Sequence, residues 1–285
     1  MAKRLPRTLR LALKNRLTAT GLSAVLLLIL VALLAPLIVP FPQDTIETHI
    51  EERFQSPSTR HFFGTDELGR DVFSRVLCGA RISLKVGAIA IGLALAIGIP
   101  LGVVAGYSGG VLDEVIMRIT DVFLSFPPLL LAMAISTLLG PNLTNAMIAI
   151  AIAWWPWYTR LLRSEAISVR ERDYVQAARA MGASPGKIVF RHVLPNCLTP
   201  VIVQSSMDFG SIILTSAALS FLGLGAQPPT PEWGLMVSTG RTFFLTNWWM
   251  VTFPGLAIFV AVLSFNLVGD GLREILDPKM RRKRR

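Results

Sequence analysis

Between Arg16 and Asp44 the chain runs for 27 residues without a charged side chain, and similar windows follow from Lys85 to Asp113 and from Asp121 to Arg160. A helix needs about 20 predominantly apolar residues to cross a bilayer, so such windows constrain the fold more tightly than any local motif. The first window gives a span over residues 21–39 and the second a span over 86–107. The third holds 38 residues, too many for one helix, and Gly140-Pro141-Asn142 divides it into two helices joined by a tight turn. A fifth span covers 198–224, interrupted only by Asp208, and a sixth lies between Trp248 and Asp270. The expected fold class is all-α and polytopic, with six transmembrane helices. Charged residues are 16% of the chain, against about 25% in soluble proteins, which agrees with a membrane protein.

The first apolar run is longer than that of a secretory signal, and no small-x-small cleavage site follows Ala35-Pro36, so it reads as a retained helix. Six spans place both termini on one side. Six basic residues precede the first span (Lys3, Arg4, Arg7, Arg10, Lys14, Arg16), and seven follow the sixth, from Arg273 to Arg285. Seven more lie between Arg160 and Arg191, on the same face. The excess of positive charge makes that face cytoplasmic, and contact with anionic lipid explains the tail better than a nucleic-acid-binding arm does. The chain then divides into a cytoplasmic segment over 1–20, the first span over 21–40, an extracytoplasmic loop over 41–85, a five-span core over 86–272 and a basic tail over 273–285. Cys78 falls outside and Cys197 at the inner end of span five, so both are expected to be free thiols.

Several loops carry pattern. Outside, residues 44–52 are acidic and look solvated. Beyond them Val72, Phe73, Val76, Leu77 and Ala80 share one helix face, which predicts a short interfacial helix feeding span two, with Asp71 and Arg75 paired on its polar side. Gly98, Gly102 and Gly106 recur every four residues along span two, a smooth stripe that lets another helix pack closely. The inner loop over 160–197 is too long for a plain connection. Asp173 and Gln176 suggest a capping box, Tyr174, Ala177, Ala178 and Met181 form a narrow apolar stripe, and Gly182 supplies a left-handed stop. Ser184-Pro185 restarts a helix that Leu194-Pro195 is expected to end. A small-residue helix with no core of its own is expected to dock into a groove on another protein.

That loop, read as Gln176-Ala177-Ala178-x3-Gly182-x9-His192-x-Leu194-Pro195, resembles the cytoplasmic EAA loop of binding-protein-dependent ABC importer permeases. The stretch from Phe63 to Asp71, its continuation Gly79-Ala80-Arg81-Ile82-Ser83-Leu84, and Ser220-Phe221-Leu222-Gly223-Leu224-Gly225 resemble the oligopeptide/dipeptide/nickel branch. The resemblance implies a type I importer permease fold of the MetI-like kind. It further implies a second permease subunit, two ATP-binding subunits and an extracytoplasmic substrate-binding protein as partners, besides the lipid bilayer and with no nucleic acid. The implied task is uptake of di- or oligopeptides, with nickel or another small solute as the alternative. By the same resemblance Tyr174, Gln176, Ala177, Ala178, Met181, Gly182 and Ala183 dock an ATPase, and ATP and magnesium are used by the partner subunits, with no cofactor bound by this chain. Two positions depart from the pattern: Gln176 stands where the family has its glutamate, and Ser216 where this branch often has an acid.

Asp208 matches no family motif. It lies about ten residues into span five, some 15 Å along the helix axis. A carboxylate at that depth must face protein or a water-filled cavity: Asp208, with Gln204 one turn earlier, is a candidate lining of the translocation pathway, the alternative being a buried, protonated or hydrogen-bonded side chain between helices.

Enzymatic readings fare worse. Gly182-x3-Gly186-Lys187-Ile188 is one residue short of a phosphate loop and lacks its Ser/Thr. Gly106-Tyr107-Ser108-Gly109-Gly110 formally matches a serine-nucleophile motif, but His49 and His61 lie on the opposite face and His192 lacks the strand–turn–helix setting. No metal-ligand spacing occurs, and the subunit is expected not to be an enzyme.

Overall fold

The computed structural model describes residues 16–276, with Asp44 and Leu276 by backbone alone. The basic clusters from Lys3 to Lys14 and from Lys279 to Arg285 lie outside the described residues. Among those described there are ten helices and no strand, only an isolated bridge between Thr65 and Asp71.

Helix α1 (Arg16–Ile38) presents Leu26, Leu30, Leu33 and Leu37 outward and packs Thr18, Gly21 and Ala35 inward. Such an apolar exterior fits lipid and nothing polar. Helix α2 (Val72–Ser108) is continuous over 37 residues, so the expected interfacial helix is not a separate element. At about 1.5 Å per residue it is some 55 Å long, well beyond a ~30 Å hydrocarbon core, and its first turns stand clear of the membrane. No proline or glycine pair interrupts residues 80–86, which is why the two predicted pieces fuse.

Gly109 and Gly110, with φ of 66° and 62°, stop α2 and turn the chain into α3 (Gly110–Leu124). Pro127 and Pro128 then force a bend of 88° into α4 (Pro128–Leu139), because a residue before proline is driven out of the helical region. The third predicted span is therefore broken near its start and α4, with 12 residues, crosses nothing alone. Gly140 (φ 89°) ends α4, and the Asn142 side chain caps α5 (Leu143–Arg170) by accepting from Thr144 N–H at 2.8 Å.

After α5 come α6 (Asp173–Ala180), the single turn α7 (Pro185–Ile188), α8 (Leu194–Phe221), α9 (Trp233–Gly240) and α10 (Trp249–Leu276). The expected stop at Leu194-Pro195 does not occur. A π-helical turn over Val189–Val193 absorbs the missing proline donor, and the helix runs on from Pro185 to Phe221. By length and composition α1, α2, Pro185–Phe221 and Trp249–Ile275 can cross a membrane, and α3 with α4 counts as a fifth, bent crossing. Helix α5 has 28 residues, but its tryptophans and arginines keep it outside that composition test. Six crossings are compatible with these lengths.

The glycine stripe decides the interior packing. A Cβ on Gly98 would stand 2.7 Å from Tyr158 Cβ, one on Gly102 2.6 Å from Thr159 O, and one on Gly106 2.5 Å from Arg163 O. Helices α2 and α5 thus touch backbone to backbone.

Residues 41–71 form a folded cap rather than a loose loop. Thr65 Oγ1 accepts from Gln55 N–H at 2.8 Å, and Trp249 Nε1 donates to Thr65 O at 3.0 Å. Asp71 does not pair with Arg75. It caps α2 by accepting from Ser74 N–H at 2.7 Å and holds buried His61 at 2.9 Å, while Arg75 reaches Thr45 O and Pro229 O. Cys78 and Cys197 are both free.

Candidate functional site

Two features combine chemistry with exposure: the elbow over residues 171–193, and a cavity between the two long helices that the elbow joins.

In the elbow, α6 packs one face back onto its own bundle. Val175 is buried with Val169, Ile188, Val193 and Cys197, and Ala178 is buried too. Ala178, 5% exposed, is therefore not on the docking face expected for it. Val175, not noticed in the stripe, is the inward anchor and rotates the stripe so that Ala178 follows it. Tyr174, Ala177 and Met181 point outward, Met181 being 82% exposed, and Phe190 at 73% joins them from the π-helical turn. Phe190 could not be read from helical spacing, because the π turn shifts its register. Arg172, Arg179, Lys187 and Arg191 are exposed on the same segment.

The expected capping box is absent. Arg172 occupies the cap position with no side-chain hydrogen bond, and Gln176 Nε2 instead reaches back to Arg170 O at 3.2 Å. Gly182, at φ 79°, ends α6 as expected, with Ala183 N–H donating to Ala178 O at 3.1 Å; Ala183 is half-buried. Arg170 Nη1 donates to Gly106 O at 3.2 Å and Tyr107 O at 3.1 Å, tying the elbow to the C-terminus of α2. Arg163 grips Asp113 with two nitrogens, and Arg160 pairs with Asp121, so α5 is also bound to α3. Ser108 is the exposed last residue of α2, and the glycines after it make the turn.

The cavity, about 560 Å³, lies between α5 and α8. Trp154, Trp157 and Leu161 furnish an apolar wall, and Gln204, Asp208 and Ser211 a polar one. Asp208 is held from both sides: Tyr158 OH donates to Oδ2 at 2.8 Å, and Gln204 Nε2 donates to Oδ1 at 2.9 Å. The structure thus brings together the two residues picked out in α8. It adds Tyr158, fully buried and 50 positions away on another helix, where no sequence spacing could have pointed to it. Among the described residues no cationic side chain pairs with Asp208. Arg160 lines the same cavity but is engaged with Asp121.

Residues 98–282 match the family described as the binding-protein-dependent transport system inner membrane component, and residues 7–57 match the N-terminal TM domain of oligopeptide transport permease C. The chain is 51% identical over 268 residues to the dipeptide transport system permease protein DppC of Alkalihalophilus pseudofirmus, covering 94% of this chain and 88% of that one. It is 47% identical to the probable D,D-dipeptide transport system permease protein DdpC of Escherichia coli, over 92% of this chain and 88% of that one. With the glutathione transport system permease protein GsiD of Pectobacterium atrosepticum it shares 44% identity, over 90% and 85%. Among solved structures, a chain of the inward-facing MetNI methionine ABC transporter aligns with TM-score 0.58 at 19% identity, over 71% of this chain and 97% of that one, a likeness of fold.

Proposed function

Because this chain belongs to the family of binding-protein-dependent transport system inner membrane components, a transport subunit and not an ATPase, we propose that it forms, with a second permease, the pathway by which an ABC importer takes up di- or oligopeptides. The observation that carries the substrate is the match of more than nine-tenths of the chain to proteins named as dipeptide permeases. Those names favour a peptide over nickel.

Two ATP-binding subunits, which use ATP and magnesium, sit on the cytoplasmic elbows of the permease pair, and an extracytoplasmic binding protein delivers the peptide to the outer cap. On this chain the docking surface is Tyr174, Ala177 and Met181, extended by Phe190, while Gln176, Gly182 and Ala183 hold its shape. The basic segments at either end of the chain support a cytoplasmic position for both termini. Coupling follows from connectivity. The elbow is the link between α5 and α8, and those helices are the two walls of the Asp208 cavity, so a push on the elbow moves both walls. Arg170 carries the same push to α2.

The test is uptake by the assembled importer in proteoliposomes. Labelled dipeptide should accumulate only with internal ATP and the external binding protein, and ⁶³Ni²⁺ should not. Accumulation of nickel without dipeptide would remove the substrate assignment.

A further inference from the structure

A carboxylate inside a membrane helix needs a reason, and the surroundings of Asp208 supply one. Each oxygen accepts one neutral donor, from Tyr158 and Gln204, which orients the group but leaves its charge uncompensated. A single hydroxyl and a single amide leave further lone pairs free on both oxygens. The group lines a cavity large enough for an amino-acid-sized group, and two tryptophans, Trp154 and Trp157, form part of the facing wall. Fixed negative charge beside aromatic faces is the chemistry that receives a small cation: a charge-assisted hydrogen bond on one side and cation–π attraction on the other. Among the described residues the only basic side chain lining the cavity, Arg160, already has Asp121 as its partner and does not fill the role.

We propose that the Asp208 cavity is a transit site for the ammonium group of a substrate crossing the permease. The proposal rests on the peptide-import reading and specifies which end of the peptide this subunit holds. Tyr158 and Gln204 are positioning residues, locking the carboxylate toward the cavity. Because α5 and α8 meet at the elbow, the site is gripped or released as the elbow moves.

The experiment is equilibrium binding of radiolabelled glycyl-leucine and N-acetyl-glycyl-leucine to the whole importer complex in nanodiscs, without the binding protein. The complex should prefer the free amine by about tenfold or more, the scale of one charge-assisted hydrogen bond. Asp208→Asn keeps an acceptor for Tyr158 but loses the charge, and should abolish that preference, while Asp208→Glu should restore most of it. An N-acetylated lysyl peptide tests how general the site is: recovered affinity shows that it takes a side-chain ammonium as well, and no recovery confines it to the peptide N-terminus. No preference in the native complex, or an unchanged preference in Asp208→Asn, overturns the site. Proteoliposome uptake of glycyl-leucine by the native importer, measured in parallel, keeps that failure distinct. Uptake without amine preference sinks only the site, whereas absent uptake sinks the peptide reading itself.

Discussion

At position 102 the chain has room for a hydrogen atom and nothing larger. A Cβ there would meet Thr159 O at 2.6 Å and Leu162 Cβ at 2.7 Å, both on the tightly packed helix α5. Gly92, on the same helix, would meet nothing within 4 Å. Paired substitutions therefore separate packing from propensity. Gly102→Ala should destabilise the complex by about 1–3 kcal/mol, as overpacking does. Gly92→Ala should be neutral or stabilising by up to about 1 kcal/mol, since alanine holds a helix better. Melting of the detergent-solubilised complex measures both. The stripe was legible because its period is local, whereas Tyr158 was not, because its meaning comes from a carboxylate 50 positions further on. Asp71 shows a third case: the sequence offered it a partner one turn away, yet the cap needed it at the helix end and against His61.

At the scale of elements, what the sequence hid was where helices break. Charge-free windows mark membrane crossings but register neither the Pro127-Pro128 bend, which is uncharged, nor the π-helical turn ahead of Pro195, whose Val189–Val193 run reads as ordinary helix. In α6 the stripe was seen and its facing misjudged: one inward valine decided which alanine is buried. Helix α9 carries a second hidden feature, an N-cap made by fully buried Glu232, which accepts from Leu235 N–H at 2.8 Å. Burial pushes its carboxyl above the usual carboxylate range, against the lowering effect of its hydrogen bonds. A folded pKa above the unfolded one means the native state holds the proton more tightly, so this group's contribution is full below the unfolded value and falls as pH rises through the folded one. Glu232→Gln keeps the capping acceptor without the charge. The variant should melt at or above the native temperature at about pH 8, and the difference should shrink toward about pH 5. A variant that is less stable at the higher pH would mean the ionised carboxylate is itself the stabilising form.

On the scale of the whole molecule, the proposed docking elbow and the Asp208 cavity belong to one continuous piece of chain. Helix α5, the elbow and α8 run in sequence, with the docking tip at the bend and the Asp208 cavity between the arms. Composition and the elbow motif were enough to expect a permease driven from the cytoplasm. The cavity emerged only when α5 and α8 were brought side by side. The cap over residues 41–71, of which residues 44–52 are expected to be solvated, is fastened to α10 through Trp249 and to α2 through Asp71. On the proposed function the exposed tip of α6 holds an ATP-binding subunit. The most direct test is recovery of ATPase subunits with the affinity-purified permease pair carrying Ala177→Arg in this chain. Ala177 is exposed, so the substitution should leave membrane insertion and assembly of the pair intact while ATPase recovery per permease falls and peptide uptake is lost. Full ATPase recovery with native uptake in that variant would contradict the account.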